Sequence, residues 1–166
     1  MVRHVELEDV PALHSIYGDE ETVRFVGDSE PLSWEDCERW VEVCAKNYRT
    51  RGYGLNMVVD RNSGEAIGGC GIVHPDGRID PEIKYALRRD RWGQGLASEL
   101  VPAMLFHGFE TLMLAQIFAT VDPMNSASIK VLERSGMRHL RDEFNDDGSI
   151  TAWYLVGSPS QSNPPK

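Results

Sequence analysis

Val10, Leu13, Ile16 and Tyr17 recur at helical spacing with Pro11 in the opening turn, and predict a first helix that starts near Leu7 and stops at Gly18. Ser33 followed by Asp36 forms a capping box, with Asp in place of Glu, and opens a second helix through Trp40, Val43 and Cys44 that ends before Arg51-Gly52. From Gly54 the pattern shortens to that of strands. Leu55 to Val59 and Ala66 to Val73 read as a hairpin turning at Asp60-Arg61-Asn62-Ser63-Gly64. After Pro75-Asp76-Gly77, the run Ile79 to Leu87 sets Ile79, Pro81, Ile83 and Tyr85 on one face against Asp80, Glu82 and Lys84 on the other, and predicts a central strand.

Leu96, Leu100, Met104, Leu105, Phe109 and Leu112 then mark a long helix from about Gln94 to Leu112, with a kink expected ahead of Pro102. A strand from Ile117 to Val121, a helix from Ser126 to Ser135 closed by Gly136, and a hairpin from Arg138 to Val156 around Asp147-Gly148 complete the pattern. The order is mixed α and β, with residues 1–156 as one domain. The stretch from Gly157 to Lys166 is too rich in Ser, Pro, Gln and Asn to pack, and is expected to be disordered.

The chain has 166 residues, enough for one core, and a formal net charge of −9. That charge repels phosphate backbones and anionic lipid, so nucleic acid and membrane are not expected as partners. Acids crowd Glu20, Glu21, Asp28, Glu30, Glu35, Asp36, Glu38 and Glu42, which read either as a solvated helix face or as a field that steers a cationic ligand. No apolar run reaches the roughly 20 residues that a bilayer requires, and the start lacks a secretion signal, so a cytoplasmic protein is expected. Cys37, Cys44 and Cys70 form no C-x-x-C pair, and the histidines form no zinc pattern; reduced thiols and no metal are expected.

The densest chemical signal is Arg88-Arg89-Asp90-Arg91-Trp92-Gly93-Gln94-Gly95-Leu96-Ala97, a turn between strand and helix. Its small residues let backbone amides approach a ligand, and the helix that follows favours an anion. Three arginines ahead of that turn point to a phosphate-bearing ligand, or to pairing with nearby acids. A P-loop would need a Gly-Lys-Ser/Thr ending, which is missing; the Rossmann pattern is met only in part and follows the wrong strand.

The chain resembles the GNAT superfamily of N-acetyltransferases through Ile83-Lys84-Tyr85-Ala86-Leu87, Trp92-Gly93-Gln94-Gly95-Leu96-Ala97, and Asn125-Ser126-Ala127-Ser128 leading to Leu132-Glu133-Arg134-Ser135-Gly136-Met137. Trp92 before Gly-Gln-Gly is most similar to the branch containing the ribosomal-protein N-terminal acetyltransferases. The resemblance implies a single α/β domain, with a mixed, mostly antiparallel sheet of six or seven strands flanked by helices on both faces. It implies acetyl-CoA as co-substrate and a primary amine, a protein N-terminus or a small molecule, as acceptor; the acid-rich stretch suggests a cationic one. A homodimer is compatible with the sequence.

The resemblance places the pyrophosphate of coenzyme A on the amides of Gly93, Gln94, Gly95, Leu96 and Ala97, beside Arg89 and Trp92. It places the pantetheine arm on the backbone of Tyr85, Ala86 and Leu87. Acetyl transfer needs a neutral amine, whose conjugate acid has a pKa of around 10, and Glu82 is the candidate base; the alternative is a structural or substrate-orienting carboxylate. A backbone N–H of the central strand, that of Tyr85, is the candidate for the oxyanion. Many relatives carry a tyrosine near the cofactor sulfur where this chain has Leu132, and Ser128 is the substitute. Asn125 reads first as a helix N-cap, with a second part in the cofactor site. Cys70, among glycines, reads as core. The competing class of function is a non-catalytic acyl-CoA-binding sensor or scaffold.

Overall fold

The computed structural model describes residues 1–26 and 29–159. Gly27, Asp28 of the acid-rich stretch, and the predicted tail from Ser160 onward lie outside the described residues. In chain order the elements are β1 (Val2–His4), α1 (Val10–Tyr17), α2 (Glu20–Val23), α3 (Trp34–Arg51), β2 (Leu55–Val59), β3 (Ala66–Val73), β4 (Glu82–Leu87), α4 (Leu96–Glu110), β5 (Gln116–Val121), α5 (Ser126–Arg134), β6 (Arg138–Phe144) and β7 (Ile150–Gly157). The strands form one mixed seven-stranded sheet in the order β1-β2-β3-β4-β5-β7-β6. The chain divides into two compact units, Met1–Val73 with Lys84–Leu96 and His74–Ile83 with Ala97–Lys166.

In the first unit, β1, β2 and β3 pair antiparallel. One cluster joins Leu13, Ile16 and Tyr17 of α1 to Cys37, Val41 and Cys44 of α3 and to Met57 of β2. The capping box forms as expected: the Asp36 amide donates to Ser33 Oγ at 3.2 Å, and the Ser33 amide donates to Asp36 Oδ2 at 3.1 Å. Gly52, with φ 80°, closes α3 in the left-handed conformation. No hydrophobic period marks α2, a single turn capped by Asp19, which accepts from the Thr22 amide at 2.8 Å. Several of the acids in the N-terminal stretch are ordinary helix surface; Glu35, Glu38 and Glu42 are exposed along α3.

The glycines of β3 serve close approach. A Cβ on Gly68 would stand 2.4 Å from the carbonyl oxygen of Ala86 in β4, and one on Gly69 would stand 2.4 Å from the Tyr17 hydroxyl. Cys70, between them and Gly71, is fully buried. Near the chain start, Arg3 forks onto Asp9 with two hydrogen bonds of 2.6 Å.

In the second unit, β5 and β6 pair antiparallel with either side of β7. Ile117, Ala119 and Val121 of β5 are buried on one face and Phe118 on the other, while α4 buries Val101, Met104, Leu105 and Phe109. The helix runs on through Pro102, beginning at Leu96 and ending at Glu110, inside the expected bounds. β7 reaches Gly157, and the buried Ser158 donates its amide to the Ala115 carbonyl at 2.8 Å, so strand order extends past the expected boundary at Val156.

The central strand departs from the expected alternation. It begins at Glu82, not Ile79, and Ile79 is exposed. Glu82, assigned to the polar face, is 1% exposed beside Ile83 at 2%, so neither face of the strand start meets solvent. A period-two pattern presumes one wet face, and this strand lacks one there.

Gly69→Ala should destabilise the protein by about 1–3 kcal/mol through overpacking, and pairing it with Tyr17→Phe, which removes the opposing hydroxyl, should restore part of that loss in thermal melts. For Asp9, burial pushes the carboxyl up, but the hydrogen bonds from Arg3 and the Glu6 amide outweigh it and hold it below its ordinary value. A depressed carboxylate adds stability above its unfolded pKa of about 3.9, and that stability is lost as pH falls through the lower folded value. Asp9→Asn should therefore melt below wild type at neutral pH, with the gap closing below about pH 4; a gap independent of pH would refute this.

Candidate functional site

The turn from β4 into α4 is built by short contacts within the first unit. A 3-10 turn spans Arg89–Arg91, and the Trp92 indole reaches back to donate to the Leu87 carbonyl at 2.6 Å. Gly93 and Gly95 follow with φ 71° and 78°, left-handed conformations that side chains resist. Gln94, expected inside the helix, stands before it and donates its side-chain amide to the Asp90 carbonyl at 3.0 Å. The backbone amides of Gly93, Gln94 and Gly95 meet no acceptor among the described residues. Leu96 and Ala97 open a 15-residue helix, whose first amides have no intrahelical partner. Successive amides and a helix dipole together suit a diphosphate.

The arginines ahead of the turn divide. Arg88 is held by Asp90 at 2.6 and 2.8 Å and by Glu65 at 2.6 Å. Arg91 is held by Glu65 at 3.0 Å, with Asp60 at 3.5 Å. Side-chain hydrogen bonds to Asp90 and Glu65 push the Arg88 guanidinium up, and the Arg88 bonds hold both carboxyls down. These two arginines tie the turn to the β2–β3 hairpin, as the pairing alternative anticipated. Arg89 lines a cavity of about 500 Å³ with Ser15, Asp19, Thr22, Arg88 and Asp90.

Along β4, Ala86 turns its carbonyl towards β3, so Tyr85 and Leu87 turn theirs the other way. The Leu87 carbonyl is the one that Trp92 engages.

In the second unit, one register pair, Glu82 with Phe118, joins β4 to β5 in parallel, and the Phe118 amide donates to the Pro81 carbonyl at 2.9 Å. The next β5 donor on that edge, the Thr120 amide, goes to Glu82 Oε1 at 3.1 Å. The Thr120 hydroxyl donates to the same oxygen, and Arg78 Nη2 donates to Oε2 at 3.3 Å. Glu82, expected on the polar face of the strand, is therefore a buried carboxylate bonded by the half-buried Thr120 and by Arg78. Sequence reading missed Thr120 and Arg78, because Thr120 lies 38 residues from Glu82 and no motif contains it.

Asn125 is the N-cap of α5, accepting the Ser128 amide at 3.1 Å. This joins two of the candidate residues. Leu132 is 1% exposed and belongs to the core. Burial pushes the Cys70 thiol up to about 12, far from the thiolate that covalent catalysis needs. All three cysteines are free thiols. Among the described residues no group of three or more His, Cys, Asp or Glu is placed to hold a metal, and no helix is long and apolar enough to cross a membrane.

Comparison with known proteins gives a match to the acetyltransferase (GNAT) domain over residues 1–138. The chain is 31% identical over 162 residues to the N-acetyltransferase p20 of Bacillus licheniformis, covering 93% of this chain and 89% of that one. It is 36% identical over 102 residues to the protein YkkB of Bacillus subtilis, a match that spans 60% of this chain and 59% of YkkB. Among solved structures, the spermidine N-acetyltransferase of Vibrio cholerae, in complex with CoA and spermine, superposes with a TM-score of 0.80 at 18% identity, covering 98% of each chain.

Asn125→Ala should cost about 1 kcal/mol through loss of the cap, read as a lower denaturation midpoint with an unchanged slope. Asn125→Asp, which keeps an acceptor, should recover most of it; equal losses in the two variants would show that the cap is not what Asn125 contributes.

Proposed function

The chain belongs to the acetyltransferase (GNAT) domain family and is an acetyl-CoA-dependent N-acetyltransferase, and we propose that it moves the acetyl group to a primary amine by direct attack within a ternary complex. The observation that carries this reading is the run of amides on Gly93, Gln94 and Gly95 with no acceptor of their own, continued by the open amides of Leu96 and Ala97. Those donors suit the pyrophosphate of the co-substrate, and Arg89, less committed to acids than Arg88 and Arg91, supplies a nearby positive charge. The pantetheine arm bonds to the backbone of Tyr85 and Leu87 on the side of β4 turned away from β3. Ala86, expected to share in this, turns its carbonyl to β3, and the Leu87 carbonyl is already engaged by Trp92. Trp92 fixes the end of that strand, and its place before Gly-Gln-Gly supports the branch of the ribosomal-protein N-terminal acetyltransferases.

In the transfer step the amine nitrogen bonds to the thioester carbonyl carbon as it gives up a proton. Glu82 is the base, and Thr120 is the group that meets the amine: its hydroxyl takes the amine proton while passing its own to Glu82 Oε1. The Tyr85 amide donates to the oxyanion. The carbon–sulfur bond then breaks, and the Ser128 hydroxyl hydrogen-bonds the departing thiolate, a weaker service than full protonation. The buried, protonated Cys70 supports direct attack over an acetyl-cysteine route, and the free thiols support a reducing compartment such as the cytoplasm. The spermine complex of the Vibrio cholerae protein supports an amine as acceptor.

Calorimetric titration should show acetyl-CoA binding that Gly95→Val weakens at least ~10-fold, because valine resists the left-handed backbone that aims the amides. Glu82→Gln and Thr120→Val should each lower turnover by ~100-fold or more while acetyl-CoA affinity holds. A Glu82→Gln rate equal to wild type across pH would remove the base assignment. Tight acetyl-CoA binding without thiol release from any amine would favour the sensor.

A further inference from the structure

The second unit carries a cluster that acetyl transfer as described does not use. Trp153 on β7 sits in register opposite Thr120 and is 9% exposed. Its indole N–H is one of two buried side-chain donors among the described residues with no partner. Such an orphan is uncommon, because an unmade buried hydrogen bond costs about 1–3 kcal/mol. Two guanidiniums stand over the same ring, Arg78 at 4.8 Å and Arg141 at 4.4 Å from its centroid. Phe118 meets the ring edge-on at 6.2 Å.

Both arginines are loosely paired. Arg78 lies 3.3 Å from Glu82 and Arg141 lies 3.6 Å from Glu143, longer than the roughly 2.7–2.9 Å of a strong charge-assisted bond. Elsewhere in this protein Arg3 and Arg88 hold their acids at 2.6 Å. The side chains of Arg78 and Arg141 are 36% and 52% exposed, so both reach the surface. Two like charges held 4.8 and 4.4 Å from one ring centroid repel each other, and an anion that reaches them from the surface would offset that cost.

Resting on the transfer reading above, we infer that Arg78 and Arg141 bind a carboxylate of the acceptor, and that the acceptor is an amino acid, with its amine beside its carboxylate. The juxtaposition of Glu82 and Arg78 mirrors such a molecule, since an acid that takes the amine proton abuts a guanidinium that takes the carboxylate. Trp153 supplies the platform that fixes both guanidiniums. A polyamine would bring further positive charge against two arginines, and the N-terminus of a protein has an amide where this site calls for a carboxylate. The face therefore selects a zwitterion over the cationic acceptor that the acid-rich N-terminal stretch had suggested.

The test is calorimetric titration of N-acetyl derivatives of the standard amino acids, and of their carboxamides, into the CoA-loaded protein. At least one acid should bind at least ~10-fold more tightly than its carboxamide. Arg141→Gln should erase that difference with CoA affinity and melting temperature unchanged, and Arg141→Lys should keep part of it. Equal affinity for acid and carboxamide, no binding of either, or an equal loss of both in Arg141→Gln would overturn the inference. Thiol release with the parent amino acids separates this from the transfer reading. A preference for acids in binding without thiol release from any amine would leave the subsite standing and remove the transfer reading. Release with decarboxylated amines as fast as with amino acids would do the reverse.

Discussion

In an unbroken parallel ladder the amide of Thr120 would donate to a backbone carbonyl of β4; here it donates to the side chain of Glu82. That substitution fixes much else in the second unit. It coincides with a β4–β5 pairing of a single register pair, and it draws a carboxylate into a place where water does not reach. A buried carboxylate demands partners, and the Thr120 hydroxyl and Arg78 provide them. Removing one member of such a set leaves the others desolvated and unpaired, so Glu82 is a structural tie of the second unit.

Charge is arranged with similar economy. The protein is strongly acidic, yet the family it belongs to handles a polyanionic co-substrate. Arg88 and Arg91 do not meet that need directly, because Glu65, Asp90 and Asp60 hold them and they brace the turn. The amides of Gly93 to Gly95 and the opening of α4 provide a partial positive charge that needs no counter-ion. Arg78 and Arg141 form a second positive locus whose acids stand off at longer distance. A guanidinium already locked to carboxylates stabilises the fold, and one held loosely is available to a ligand.

Local chemistry was legible in the sequence. The Ser33–Asp36 box, the Asn125 cap and the glycine turn formed where spacing indicated, and α3 ran through Arg51, one residue past its expected end, to stop at Gly52, because each is settled by residues a few positions apart. Three features were not legible. The burial of Glu82 depends on what covers both faces of β4, α2 is one turn held by an Asp19 cap, and the place of Thr120, Arg78, Trp153 and Arg141 depends on strands far apart in the chain.

The sequence by itself determined the order of the longer elements, most of the caps and turns, and the family motif, since hydrophobic period and backbone conformational preference act over a few neighbouring residues. Only the tertiary structure decided which arginines are spent on the fold, that Glu82 completes a strand edge, and that two guanidiniums share one indole. Those outcomes follow from strand register and burial, and both are set by packing between residues that the chain separates by tens of positions.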